Sequence, residues 1–142
     1  MKSLTIFLLT SFIAASASAQ FCTPPTPLTQ KNVVGMWRGN YTLNGEIQPL
    51  QIQFREIDRQ ITAYLDLPDQ GLQNARFDTK VCASQEIHMS KSNVGQVSLE
   101  FVGSPKGNVM SGRLSIKKGS ADMGSEVFTL RKTETSVSST DK

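Results

Sequence analysis

Apolar and polar residues alternate with a period of two along most of this chain, and no other feature constrains the fold as strongly. Alternating segments recur at positions 50–54, 61–65, 87–89, 97–101, 110–116 and 128–130. Successive side chains of a β-strand point to opposite faces, so each segment predicts a strand with one buried and one exposed face. Half-buried strands of this kind are typical of antiparallel sheets.

Turn residues separate these segments. Asn44-Gly45 stands between residues 41–43 and the segment at 50–54, which is a strong hairpin signal. Further turns are expected at 58–59, 92–95, 104–107 and 118–124. An open meander would leave two unpaired edges. We therefore predict an all-β fold, an antiparallel up-and-down meander of about eight strands that forms a small, lipocalin-like barrel or half-barrel.

The first residues have the three-part pattern of a secretory signal peptide. Lys2 is followed by an apolar stretch over 4–15 and by the small residues Ala17-Ser18-Ala19. The apolar stretch is shorter than the roughly 20 residues that span a bilayer. We expect residues 1–19 to be cleaved after Ala19, the protein to be secreted or periplasmic, and no stable membrane insertion.

Two cysteines, Cys22 and Cys82, remain after that cleavage. Two cysteines in an exported chain most often pair with each other. The Cys22–Cys82 disulfide would close a loop of about 60 residues, which the chain-entropy model values at roughly 4 kcal/mol. A reactive thiol is the rival interpretation, and it would need His88 as its base.

Two segments are predicted to flank the β-domain, which then covers residues 33–132. Residues 20–32 contain Pro24, Pro25 and Pro27 together with several threonines, and we expect an extended, non-helical arm. Residues 133–142 are polar and rich in Ser and Thr, and we expect a disordered tail.

Charge and composition exclude some classes of partner. The chain has 15 basic and 12 acidic side chains, a formal net charge of +3, and the two signs are interspersed. Nucleic-acid binding favours a clustered basic stripe instead. We predict no nucleic-acid partner.

Candidate catalytic and metal-binding residues are few. The chain has no Gly-x-Ser-x-Gly motif, and its one histidine, His88, falls on the polar face of a predicted strand. Asp66 and Asp69 flank Pro68, but two carboxylates are few for a calcium site. We predict no catalytic residue, no metal site and no cofactor.

Four short motifs follow one another in an order that resembles a known family. They are Trp37-Arg38-Gly39, Leu67-Pro68-Asp69-Gln70-Gly71, Gly107 to Gly112, and Phe128-Thr129-Leu130-Arg131. This order is similar to the small β-domain that precedes the catalytic domain in many secreted bacterial α/β-hydrolases. Leu67 stands where that family favours Ser, and no hydrolase domain follows here. The resemblance implies a non-catalytic accessory domain, with a secreted hydrolase as a possible partner.

Gly35-Met36-Trp37 also resembles the first-strand Gly-x-Trp motif of lipocalin-type barrels. That resemblance implies a Trp at the closed end of the barrel. It also implies a cation–π contact between Trp37 and Arg131 from the last strand, worth about 0.5–2 kcal/mol.

Residues Pro68-Asp69-Gln70-Gly71 support two interpretations. They have the chemistry of a simple turn, and they could also form a recognition loop for a ligand or partner. The function we predict is a secreted, non-catalytic binding or accessory module that docks on a partner protein or holds a small apolar ligand. The alternative is a truncated or accessory part of a secreted serine α/β-hydrolase.

Overall fold

The computed structural model describes residues 22–24 and 27–134. A short helix, α1, is followed by eight strands: α1 (Pro27–Val33), β1 (Gly35–Leu43), β2 (Glu46–Ile57), β3 (Gln60–Leu67), β4 (Leu72–Val81), β5 (Ile87–Val94), β6 (Val97–Lys106), β7 (Val109–Lys118) and β8 (Ala121–Thr133). Each strand pairs antiparallel with the next, and β8 pairs with β1. The predicted all-β meander is confirmed, and it closes into a complete barrel.

Burial follows the alternation from which the strands were predicted. On β1, Trp37 and Tyr41 are buried whereas Arg38 and Asn40 are exposed. The inward side chains of all eight strands form one core with Val33 of α1. Because the outward positions are mostly polar, each strand is half buried, as expected.

The hairpin between β1 and β2 has the predicted turn. Asn44 and Gly45 have φ values of 51° and 81°. Two successive residues with positive φ are typical of a type I′ turn, whose twist matches that of the flanking strands. This turn sets the β1–β2 register, in which Leu43 faces Glu46.

The alternation did not reveal β4. Asn74 in this strand has a φ of 48°, and the β3–β4 register shifts between Leu65 and Leu67. β4 pairs with β5 only over residues 78–81. Beyond that stretch the side chain of Lys91 joins the two strands, since its Nζ donates a hydrogen bond to the Arg76 carbonyl oxygen at 3.2 Å.

The prediction of a non-helical arm over residues 20–32 is wrong in its second half, because α1 begins at Pro27. Proline is tolerated in the first turn of a helix, where its missing N–H would have no partner. The helix closes one end of the barrel. Val33 is buried there, and its carbonyl oxygen accepts a hydrogen bond from Trp37 Nε1 at 2.9 Å.

The predicted disulfide is confirmed. Cys22 and Cys82 are bonded, with their Cα atoms 4.9 Å apart. Beside them, the Ala83 N–H donates a hydrogen bond to the Thr23 carbonyl oxygen at 2.8 Å. The segment before α1 is thereby tied to the loop between β4 and β5. The predicted signal peptide (1–19) and residues 135–142 of the predicted tail lie outside the described residues, while Thr133 is the last residue of β8.

Two inward-facing glycines make room for an aromatic ring in the core. Gly103 of β6 and Gly112 of β7 lie opposite each other, and Phe128 of β8 lies opposite Gly112. A Cβ on Gly112 would overlap the Val102 carbonyl oxygen and would lie 2.8 Å from the Phe128 ring. A Cβ on Gly103 would lie 2.9 Å from the same ring. The Phe128 side chain therefore occupies the space that both glycines leave.

We expect Gly112→Ala to destabilise the barrel by at least about 1–3 kcal/mol, since the backbone of β6 and the Phe128 ring must both move. Ser111→Ala changes an exposed neighbour on the same strand and should stay within about 0.5 kcal/mol of the original protein. Urea unfolding followed by the fluorescence of Trp37 measures both. Equal unfolding midpoints for the two variants would contradict this account of Gly112.

Candidate functional site

The inside of the barrel is filled by the protein's own side chains. Six aromatic residues are fully buried, namely Trp37, Tyr41, Phe54, Phe77, Phe101 and Phe128. Three of them form an edge-to-face series, with ring centroids 5.9 Å apart for Phe77–Phe101 and 5.7 Å apart for Phe101–Phe128. Rings that pack in this way leave little space between them. The candidate site must therefore be sought on the outer surface.

Trp37 has a cation over its ring, but the cation is Lys132. Lys132 Nζ lies 5.7 Å from the Trp37 ring and donates a hydrogen bond to the Asn32 carbonyl oxygen at 2.9 Å. The predicted Trp37–Arg131 pair is wrong by one residue. Lys132 is the residue opposite Trp37, whereas Arg131 lies opposite Arg38 and is exposed. Opposite residues share a face, so Arg131 points outward.

Arg38 and Arg131 are thus direct cross-strand neighbours on the outer face of β1 and β8. Among the described residues the ion pair is His88–Glu86, and neither arginine has a carboxylate within salt-bridge distance. Like charges placed directly opposite each other repel. The seam that closes the barrel therefore carries two arginine charges side by side without a counter-charge.

The outer face around this seam has no carboxylate over residues 109–115 of β7, 125–131 of β8, 36–42 of β1 and 47–55 of β2. Over these ranges the outward positions are Val109, Ser111, Arg113, Ser115, Ser125, Val127, Thr129, Arg131, Met36, Arg38, Asn40, Thr42, Ile47, Pro49, Gln51, Gln53 and Arg55. Four of these are arginine and none is acidic. Acidic side chains lie beyond these ranges, at Asp66 opposite Gln51, at Asp122 opposite Lys117, and at Asp78, Glu86 and Glu100 on the remaining outer surface. The positive charge is therefore local, although the net charge of the chain is only +3.

Two adjoining depressions cross this face, and we call them together the arginine groove. The larger, of about 390 Å³, extends from Arg38 and Arg131 to Ile47 and Val127. The smaller, of about 290 Å³, extends from Arg38 to Asp66 and Pro68 and shares Arg38 and Gly39 with the first. Ile47 and Val127 are 74% and 58% exposed. The groove therefore combines arginine charge with uncovered aliphatic surface.

Hydrogen bonds hold Arg38 in place within the groove. Arg38 Nε donates to Gln51 Oε1 at 2.8 Å, and Gln51 Nε2 donates to Asp66 Oδ2 at 3.0 Å. The second oxygen of Asp66, Oδ1, accepts a hydrogen bond from the Asn74 N–H at 2.5 Å. The chain of bonds runs across β1, β2, β3 and β4. It holds the Arg38 guanidinium through its Nε–H, and the terminal nitrogens form no hydrogen bond with the described residues.

The predicted recognition loop, Pro68-Asp69-Gln70-Gly71, is a 3₁₀ turn between β3 and β4. Gly71 has a φ of 66°, and its N–H donates a hydrogen bond to the Pro68 carbonyl oxygen at 3.1 Å. Gln70 Nε2 donates to Asp69 Oδ2 at 3.0 Å. These contacts account for the motif as turn chemistry, which needs glycine at the left-handed position. Pro68 also lines the smaller depression, so the turn borders the arginine groove.

Tyr41 lies buried on β1 near that turn. Its side-chain hydroxyl is buried and has no hydrogen-bond partner among the described residues. Burial, together with the nearby Asp69 carboxylate, raises the pKa of Tyr41 well above its ordinary value. Asp69 is close enough to disfavour the phenolate but does not complete a hydrogen bond to the hydroxyl. Sequence reasoning missed this residue, because nothing in the local pattern distinguishes it from an ordinary core tyrosine.

His88 lies on the outer face of β5, beside Lys80 and Val102 of the adjoining strands. Its Nε2 is 2.6 Å from Glu86 Oε1, and both side chains are partly exposed. No hydroxyl or thiol of the described residues forms a hydrogen bond with the ring. The pair is therefore a His–carboxylate contact on a strand surface. In the same part of the chain, no group of three His, Cys, Asp or Glu side chains could hold a metal ion.

Comparison with known protein families, with curated proteins and with solved structures finds no match to this chain. Within the described ranges, α1 is too short to cross a membrane and no other helix is long and apolar enough to do so. The fold and the surface described above are therefore the basis for any functional conclusion.

We expect Tyr41→Phe to leave the stability unchanged or to raise it by about 1 kcal/mol at neutral pH, since it removes a buried hydroxyl without a partner. At high pH the difference should grow. The unfolded chain releases the tyrosine proton near pH 10 whereas the folded state retains it, so the stability of the original protein falls as pH rises above about 10.

Urea midpoints between pH 7 and pH 11 measure this, with Tyr64→Phe on the outer face as the matched control. The difference between Tyr41→Phe and the original protein cancels the lysine titrations that both share. A Tyr41→Phe profile that falls in parallel with that of the original protein would refute the assignment.

Proposed function

We propose that this protein is a non-catalytic binding module that acts outside the cytoplasm and docks on a partner protein through the outer face of its barrel. The observation that supports this most is the contrast between the two sides of the sheet. The inner side is filled by fully buried aromatic rings. The outer side has a groove with exposed arginine and aliphatic side chains.

A small apolar ligand inside the barrel has less support. Barrels that carry such ligands keep an open interior, whereas small barrels without a ligand fill theirs with side chains. To admit a ligand here, residues such as Phe101, in contact with two other rings, would have to leave the core. Removing a buried aromatic side chain costs roughly 3–5 kcal/mol. Docking on the surface requires no such rearrangement.

The location outside the cytoplasm is supported by the Cys22–Cys82 disulfide. Disulfides form and persist in oxidising compartments and are rare in the cytosol. This agrees with the signal peptide predicted for residues 1–19. Secretion through that signal remains part of the proposal.

The resemblance of the Pro68-Asp69-Gln70-Gly71 segment to the β-domains of secreted hydrolases suggests one kind of partner, a secreted α/β-hydrolase. It does not make this chain the catalyst. Acyl transfer needs a nucleophile within hydrogen-bond reach of a base and donors for the oxyanion. His88 has Glu86 as its partner and no hydroxyl beside it in the described region.

We expect the purified protein to hydrolyse neither p-nitrophenyl esters nor chromogenic peptides above the background rate. The His88→Ala variant, prepared in parallel, is the control. Turnover that is lost in this variant would overturn the non-catalytic assignment. Turnover that is equal in both preparations would identify a contaminant and leave the assignment in place.

Partner docking can be tested with a photo-reactive amino acid placed at Thr129 in the groove. The matched control places it at Ser90, which is also exposed and outward-facing but lies on β5. With the extracytoplasmic fraction of the source cell, we expect Thr129 to give a cross-link to one protein, identified by mass spectrometry, and Ser90 to give none. Absence of a cross-link from Thr129, or the same products from both positions, would contradict docking on this face.

A further inference from the structure

The arginine pair on the closing seam points to a charged group supplied from outside. Arg38 and Arg131 are directly opposite each other, exposed, and without a carboxylate within salt-bridge distance in the described chain. Two like charges in this arrangement oppose the pairing of β1 with β8. An anion that bridges the two guanidinium groups would convert this repulsion into attraction.

The pair is also suited to a carboxylate. A guanidinium has five N–H donors, and Arg38 uses its Nε–H for Gln51. The four terminal N–H groups of Arg38 form no hydrogen bond with the described residues. Arginine and carboxylate form paired, parallel hydrogen bonds that are stronger than those between neutral groups. The bond to Gln51 holds Arg38 in position before binding.

The aliphatic side chains beside the pair distinguish between classes of anion. Ile47 and Val127 are exposed and line the same depression as the two arginines. A nucleic acid or an acidic polysaccharide would contact the charges and leave this aliphatic surface uncovered. A protein segment carries both kinds of side chain, and charge complementarity with adjoining apolar contacts is typical of protein interfaces.

We propose, on the basis of the function proposed above, that the arginine groove binds an extended segment of a partner protein that carries both acidic and aliphatic residues. A carboxylate of the segment lies between Arg38 and Arg131. An aliphatic side chain of the segment covers Ile47 and Val127. The segment occupies the larger depression, which no acidic residue lines, whereas Asp66 beside the smaller depression and Asp78, Glu86 and Glu100 farther round the surface repel its carboxylate.

The geometry of β8 sets the spacing within that segment. Val127 and Arg131 are four residues apart on one strand and face the same side. At about 3.3 Å per residue this separation is roughly 13 Å. An extended segment lying along β8 therefore places its acidic residue four positions from its aliphatic residue. A three-position spacing would turn one of the two side chains away from the groove.

The probe is a ten-residue synthetic peptide of Ser and Thr with one Glu and one Leu four positions apart. One control peptide has Gln in place of Glu, a second has Ser in place of Leu, and a third has the spacing reduced to three. Titration of the ¹⁵N-labelled, disulfide-bonded protein should shift amide signals of β1, β2 and β8 with the first peptide. Each control peptide should bind at least about tenfold more weakly.

Protein variants locate the contact. Arg38→Gln and Arg131→Gln should each weaken binding of the first peptide about tenfold or more. Arg76→Gln removes an exposed arginine from β4, outside the groove, and should leave binding unchanged. Because all three positions are exposed, the variants are expected to fold, and measuring their unfolding midpoints checks this.

Three results would overturn the proposal: no binding of the first peptide, equal binding of the peptide that lacks Leu, or binding of heparin that is lost in Arg38→Gln but unaffected by Val127→Ser. The last result would make the groove a general anion site. Cross-linking from Thr129 distinguishes failure of this inference from failure of the proposed function. A partner captured there whose binding tolerates both arginine changes rules out this inference but leaves the proposed function in place.

Discussion

The pairing of β1 with β8 is the interaction on which the rest of this structure depends. It joins the two ends of the sheet and leaves no strand edge of the meander open at this seam. The close approach requires glycine, since a Cβ on Gly39 would overlap the Thr129 carbonyl oxygen. The seam also determines what each face presents. Lys132 faces Trp37 on the inside, and Arg131 lies beside Arg38 on the outside.

The two ends of the barrel are closed to different degrees. At one end, α1 covers the core through Val33, and the disulfide ties the preceding segment to the β4–β5 loop. At the other end, the sheet ladder between β4 and β5 stops, and the 3₁₀ turn at Pro68–Gln70 lies near the buried Tyr41 hydroxyl. A buried hydroxyl without a partner reduces stability. The end near Tyr41 thus contains a buried hydroxyl that lacks a hydrogen-bond partner among the described residues.

The strands could be predicted wherever apolar and polar side chains alternate strictly. Strand β4 was missed because it lacks this alternation. In β4 the residue Asn74 has a positive φ and the register with β3 shifts, so a count of every second residue no longer follows one face. Helix α1 was not predicted from the sequence for a different reason. Pro24, Pro25 and Pro27 argued against a helix, yet Pro27 lies in the first turn of α1, where a helix accepts proline. In both cases a local irregularity obscured the pattern.

The sequence by itself determined which side of each strand is buried and where the chain turns, because these depend on neighbours close along the chain. It also determined the disulfide pairing, because the chain has two cysteines. Only the tertiary structure decided which residues meet across the closing seam. Residues 38 and 131 are brought together by seven intervening hairpins, and a shift of one residue in any register moves a side chain to the other face. The resemblance to lipocalin-type barrels implied that Arg131 lies over Trp37, whereas the register of β1 with β8 places it beside Arg38. The arginine groove could not be predicted from the sequence, since its residues come from β1, β2 and β8, and β8 is distant from the other two along the chain.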